Sequence, residues 1–273
     1  MESPPEAESR YRNYLLSTGH APETTRVYIS IARLFGSWCA AHEIEPRAAE
    51  RESVQAYLAH CLDRVGRNTV ALRLAALRTF FAFCGRPQVT EGLRVGLEKL
   101  APRQPFSAHE LAQLFAACRN ERDRAMITLA LPCGLRVSEL VGMRQQDVEL
   151  DRGLLLVHGK GSKQRWVALD ETCCSMLQQF PTSRRGLVWL TRDAQPLSRR
   201  RAERNMEEIA KRAGLHAHWH RLRTTFATRF LNETHDLESL QTLMGHASPD
   251  VTARYAAYTR QQRALDQMRR LDA

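Results

Sequence analysis

The chain has 273 residues, more than one domain usually holds, so one large or two modest domains are expected. Hydrophobic residues make up 43% and the mean hydropathy is −0.43; the longest apolar run, 125–131, is far too short for a membrane span, and MESPPEAESR lacks the basic and apolar parts of a signal peptide, so the protein is expected in the cytosol. Lysine and arginine outnumber aspartate and glutamate by 40 to 30, a net charge of +10 that points to a polyanionic partner, nucleic acid being the commonest.

Residues 8–98 read as helix throughout. Val27, Ile31, Leu34, Phe35 and Trp38 repeat at helical spacing, as do Val70, Leu74, Leu77, Phe81 and Cys84. Helices at 10–18 and 53–62 complete a bundle of four, and 91–100 is expected to add a fifth. Arg64, Arg67, Arg73 and Arg78 fall mostly off the second stripe and are expected to form an exposed basic side. Residues 99–106, KLAPRQPF, break the periodicity with two prolines and read as a linker. Two domains follow from this, 1–98 and 107–273.

Ser107 with Glu110 forms a capping box and opens the second domain. Helices are expected at 108–118 and 121–131 and again within CGLRVSELVGM. Residues 154–157, the turn GKGSK and 165–169 read as a β-hairpin. Further helices are expected at 171–180, 199–213, 219–232, 237–244, 249–257 and 259–270. The fold class is therefore mainly α with a small β-sheet: a helical bundle followed by an α+β domain. The seven cysteines include no C-x-x-C pair, and they read as reduced core residues rather than disulfides or zinc ligands.

The chemistry-bearing residues are scattered. Arg136, in CGLRVSEL, stands where a glycine turn meets a helix start, a place from which a guanidinium can grip a phosphate, with Glu139 near enough to hold it. Lys160 sits in the glycine-flanked hairpin turn; GxxxxGK[ST] is absent, so this is not a nucleotide-binding loop. His220 and Arg223, three positions apart, share one helix face. His246 follows a glycine at a helix end, and Ser248-Pro249 starts the short helix that carries Tyr255. The alternating histidines of HAHWH invite a metal, yet no acidic or cysteine cluster accompanies them. Each signal alone also fits a surface or core residue. In this order, two arginines, two histidines and a lysine are the groups needed to stabilise a five-coordinate phosphorane without metal, and a tyrosine can be the nucleophile.

GLRVSEL, GKGSKQRWVAL, HRLRTTFATRF and LMGHASPDVTARY, in that order and spacing, resemble the tyrosine recombinase (phage integrase) family, its Xer-type members most closely. The resemblance runs from about residue 8 to the C-terminus. It implies a core-binding domain at the N-terminus that clamps DNA opposite a catalytic domain. It also implies that Arg136 and Arg223 hold the non-bridging phosphate oxygens and that Lys160 protonates the leaving 5′ oxygen. His220 would act as base or orient the tyrosine, His246 would donate to the phosphate, and Tyr255 would attack. Glu139 matches an acidic position beside the first arginine. Neither metal nor ATP nor any other cofactor is implied. Thr224 and Cys133 stand where many relatives carry histidine and threonine, which touches fine tuning and not the reaction. Tyr258, twelve residues after His246, fits the family spacing poorly as nucleophile.

In the first domain Thr24, Thr25, Arg26, Arg67, Asn68, Thr69 and Arg73 are the candidate DNA contacts. Leu265, Met268 and Leu271 make the last helix amphipathic; by resemblance it docks into a neighbouring subunit of a tetramer on two DNA duplexes. The competing readings are a type IB topoisomerase, which shares the chemistry, and a catalytically silent DNA-binding protein on the same fold; a metal-dependent nuclease would need acidic clusters.

Overall fold

A computed structural model of the chain describes residues 4–98, 104–159, 163–180, 186–245, 255–256 and 259–260. The chain divides into two compact units, 1–100 and 101–273.

In the first unit four helices, α1 (Pro4–Ser17), α2 (Pro22–Ala40), α3 (Arg51–Leu62) and α4 (Arg67–Phe83), enclose an apolar centre. Phe35, Val54, Tyr57, Leu74, Leu77 and Phe81 fill it, while Tyr11, Leu15 and Ile29 form a smaller cluster beside it. α1 starts six residues earlier than its apolar pattern suggests. The helix expected at 91–100 does not form over its described part. Gly92 adopts φ +68°, a left-handed conformation that ends the turn, and 93–98 continues without regular structure. Its carbonyls find side-chain donors instead of helical ones: Arg51 Nη1 donates to Glu91 O at 2.6 Å, Arg78 Nη2 to Leu93 O, and Asn68 Nδ2 to Glu98 O at 3.3 Å.

The expected basic side is exposed at Arg64, Arg67 and Arg78 and half-buried at Arg73, and three of these side chains bond within the unit. Arg78 is committed to the 93–98 segment, Arg73 turns inward to donate to Cys61 Sγ at 2.8 Å, and Arg64 folds back onto His60. Thr25 is also unsuited to a DNA contact. It lies four residues before Ile29 on the inward face of α2 and is 2% exposed, whereas Arg26, Arg67 and Thr69 are exposed and Thr24 and Asn68 half-buried.

The second unit comprises α5 (Ala108–Ala116), α6 (Glu121–Cys133), α7 (Val137–Val141), β1 (Val148–Glu149), β2 (Leu154–His158), β3 (Gln164–Ala168), α8 (Glu171–Leu177), α9 (Arg199–Ala213), α10 (Trp219–Thr234) and α11 (Leu237–Met244). Ser107 and Glu110 make the expected capping box on α5. The sheet is antiparallel in the order β1-β2-β3, with Leu155 opposite Val167 and Val157 opposite Arg165. Its first strand, two residues long, carries no alternation that a sequence could reveal. α8 stops three residues short of expectation. The main core gathers Leu114, Ile127, Leu129, Leu140, Trp189 and Leu222. Residues 104–106, expected as linker, are anchored on this unit: Phe106 is buried and its N–H donates to Thr225 Oγ1 at 2.8 Å. Arg221 stacks 4.0 Å over the Phe106 ring and pairs with Glu110 at 2.6 Å. Of the last two expected helices, only 255–256 and 259–260 are described, and these are helical. No described helix is long and apolar enough to cross a membrane.

Candidate active site

Three local devices build the site. α6 ends on Gly134 at φ +58°, and a Cβ there would collide with the Phe226 ring of α10, so only glycine permits this approach. The chain leaves that turn through buried Leu135 and delivers Arg136 to the first residue before α7. One turn on, Glu139 reaches back and accepts from the Arg136 backbone N–H at 2.9 Å and from Arg136 Nη1 at 2.7 Å. On α10, the buried Trp219 indole donates to Ala202 O of α9 at 2.9 Å, which fixes the helix start where His220 lies. Arg223 follows one turn later.

Arg223 is 1% exposed, a costly place for a guanidinium without partners. It donates through Nη1 to Gly134 O and through Nη2 to Met244 O, and its Nη1 lies 3.9 Å from Glu139 Oε2. Burial, then repulsion from Arg136 and Arg165 against the attraction of Glu139 and Tyr255, lower its pKa to about 10, so it stays charged at neutral pH.

Glu139 is the common anchor. Burial would raise its pKa, but hydrogen bonds from Arg165 and from the Arg136 backbone outweigh that and hold the carboxyl at about 2. Arg165 was not among the residues the sequence singled out. It grips Glu139 in parallel, Nη1 to Oε1 at 2.9 Å and Nη2 to Oε2 at 2.8 Å, while Nε donates to Leu243 O at 2.6 Å. A usable signal was present: on β3 it shares the inward parity of Val167 and Leu169.

Arg136, His220 and Arg223 line one cleft of about 430 Å³, with Ser138, His218 and Arg199 at its other walls. His220 is exposed into it. Tyr255 is 9% exposed, packs with Ala227, Leu231, Leu240 and Met244, and is close enough to Arg223 to act on it electrostatically. Lys160 and His246 lie outside the described residues, as does Tyr258. Some of their neighbours are described: Gly159 N donates to Lys163 O at 2.7 Å, and an added Cβ on Gly159 would lie 4.0 Å from Glu139 Oε1. Gly245, the neighbour of His246, offers its carbonyl to Arg136 Nη2 at 3.1 Å. The His218 and His220 rings are 6.5 Å apart, and among the described residues no group of three or more His, Cys, Asp or Glu side chains converges.

The model of the phage integrase family matches residues 104–262, and that of the phage integrase N-terminal SAM-like domain matches 9–88. The chain belongs to the phage integrase family. Within this family it is similar to tyrosine recombinases of Xer type. Tyrosine recombinase XerA of Thermococcus kodakarensis is 30% identical over 270 residues, covering 95% of this chain and 93% of its own. Tyrosine recombinase XerC of Lactobacillus delbrueckii subsp. bulgaricus is 31% identical over 229 residues, covering 75% of this chain and 77% of its own. The fold is shared with the Tn1549 transposon integrase solved with transposon right end DNA, at a TM-score of 0.74 and 15% identity over 97% of this chain and 99% of that one. It is shared too with a lambda integrase dimer bound to a COC′ core site, at a TM-score of 0.72 and 19% identity over 90% and 93%. This phage integrase family member is a site-specific recombinase of the tyrosine type, and neither a relaxing topoisomerase nor a silent DNA-binding protein is the favoured reading.

Proposed function

We propose that Arg136, Lys160, His220, Arg223, His246 and Tyr255 form one transesterification site for double-stranded DNA. The observation that carries the reading is the pair of guanidiniums, Arg136 and Arg223, held around one carboxylate at the wall of a cleft that His220 also lines, with Tyr255 beside Arg223. Two fixed cations of this kind suit the charge that gathers on the non-bridging oxygens of a phosphorane.

The Tyr255 oxygen attacks the scissile phosphorus and gives its proton to a base, the role of His220 in the cleft. The P–O bond to the 5′ oxygen breaks, and Lys160 protonates the leaving oxygen. A 3′-phosphotyrosyl link and a free 5′ hydroxyl result. A 5′ hydroxyl from a partner strand then attacks the phosphorus, Tyr255 leaves, and the ester count is unchanged. His246 donates to the phosphate; neither metal nor ATP enters these steps.

For the assembly, we propose a tetramer on two DNA sites in which the C-terminal helix expected from the sequence is exchanged between subunits, acting on DNA in the cytoplasm. The stripe Leu265, Met268 and Leu271 supports the exchange, and a chain ending at Arg260 is expected to lose assembly and strand exchange. In the first unit Arg26, Arg67 and Thr69 remain the exposed DNA-contact candidates, with Thr24 and Asn68 half-buried beside them.

The test is a nicked duplex carrying candidate sites, incubated with the protein and with Tyr255→Phe. The wild type is expected to form a denaturant-resistant adduct at Tyr255 and the variant none. An adduct that persists in Tyr255→Phe would overturn the assignment.

A further inference from the structure

α11 ends at Leu243 and Met244, with Gly245 as its cap, and these three consecutive residues present their carbonyls to side-chain donors. Each accepts from a different arginine: Leu243 O from Arg165 Nε, Met244 O from Arg223 Nη2 and Gly245 O from Arg136 Nη2. A helix C-terminus is the negative end of its dipole, so it adds to what Glu139 alone would supply as counter-charge to three guanidiniums. Two of these arginines belong to the proposed phosphate grip, and the third does not. The Arg165 side chain is 10% exposed, and its three nitrogens all donate to protein acceptors, two on Glu139 and one on Leu243. It is built to hold protein and not DNA.

We infer that Arg165 is the positioning residue of the site: it locks the Glu139 carboxylate, which orients Arg136, to the end of α11, from which the chain proceeds to His246. Three facts converge on it. Arg165 lies on β3, six residues after Gly159 in the same hairpin, so one side chain joins the strand pair flanking Lys160 to both other parts of the site. Glu139 has four close donors, and Arg165 supplies two of them, matching both oxygens at once. Gly245 at φ +58° leaves room for it: an added Cβ would stand 3.2 Å from Arg165 Nη1. A lysine carries the charge but cannot span two carboxylate oxygens and a carbonyl together.

This inference rests on the transesterification reading. Its test separates binding from chemistry: DNA affinity by titration, and single-turnover adduct formation on a nicked duplex at saturating protein. Arg165→Ala is expected to bind DNA within about threefold of wild type yet form adduct about a hundredfold more slowly, because misplacing a reacting group by about an ångström has that effect. Arg165→Lys, which keeps the charge, is expected to lose about tenfold. Thermal unfolding of both variants shows whether the fold survives, and the lysine variant keeps the test decisive if Arg165→Ala unfolds. Adduct formation at the wild-type rate in a folded variant, or a loss that appears wholly as weaker DNA binding, would overturn the inference. Failure of the wild type itself to form an adduct at Tyr255 would instead strike the underlying reading.

Discussion

Glu139→Gln isolates what one carboxylate contributes. The side chain is 3% exposed and faces Arg136, Arg165 and Arg223. Its carboxyl is held at about 2 against an ordinary 4.5, and at about 1.4 kcal/mol per tenfold this gap corresponds to about 3 kcal/mol of stability. Because the folded pKa lies below the unfolded one, that stability is fully present above pH 4.5 and is lost as pH falls through about 2. The glutamine amide cannot take up the negative role, and it turns an N–H donor toward arginines. Glu139→Gln should therefore be less stable by about 3 kcal/mol at neutral pH, with the gap to wild type closing at the acid end. Denaturant titrations followed by tryptophan fluorescence measure this, since Trp166, Trp189 and Trp219 report on the second unit and only Trp38 on the first. A neutral-pH gap below about 1 kcal/mol, or one that does not change with pH, would refute the reasoning.

Gly134→Ala forces a side chain into a left-handed turn and against Phe226; we expect a loss of about 2 kcal/mol or more in thermal unfolding, with cleavage falling as Arg136 is displaced. Arg221→Ala removes the Glu110 ion pair, the stack on Phe106 and bonds to the Gln104 and Pro105 carbonyls, and should cost about 2 kcal/mol by denaturant titration while leaving the residues that face the cleft in place. DNA affinity should fall linearly with salt on logarithmic axes, and Arg26→Ala or Arg67→Ala should each reduce that slope by about one; an unchanged slope removes that residue from the DNA face.

The proposed site residues were legible as a pattern because their types and order suit one reaction, and the hairpin because two apolar runs, 154–157 and 165–169, flank a glycine-containing turn. What the sequence hid was mostly the destination of polar groups. Arg165 reads as one more basic residue in a basic protein until β3 turns it inward. Arg73 reads as part of an exposed stripe because helical spacing reports direction, while a long side chain can fold back to a thiol and become half-buried. The 91–98 stretch has helical composition, but Gly92 and the available donors on α3 and α4 favour an irregular path. Thr25 was misplaced through one turn of α2: neighbours in sequence point to different sides of a helix, and Ile29 shows which side is inside.

The terminus of α11 is phased like a keyed shaft. Each residue turns a helix by about 100°, so adding or deleting a single amino acid between Asp236 and Gly245 would rotate all three acceptors away from their arginines together. Sequence drift at this junction can therefore change side chains far more readily than length. Insertions that spare activity should instead gather ahead of α11 or elsewhere on the surface.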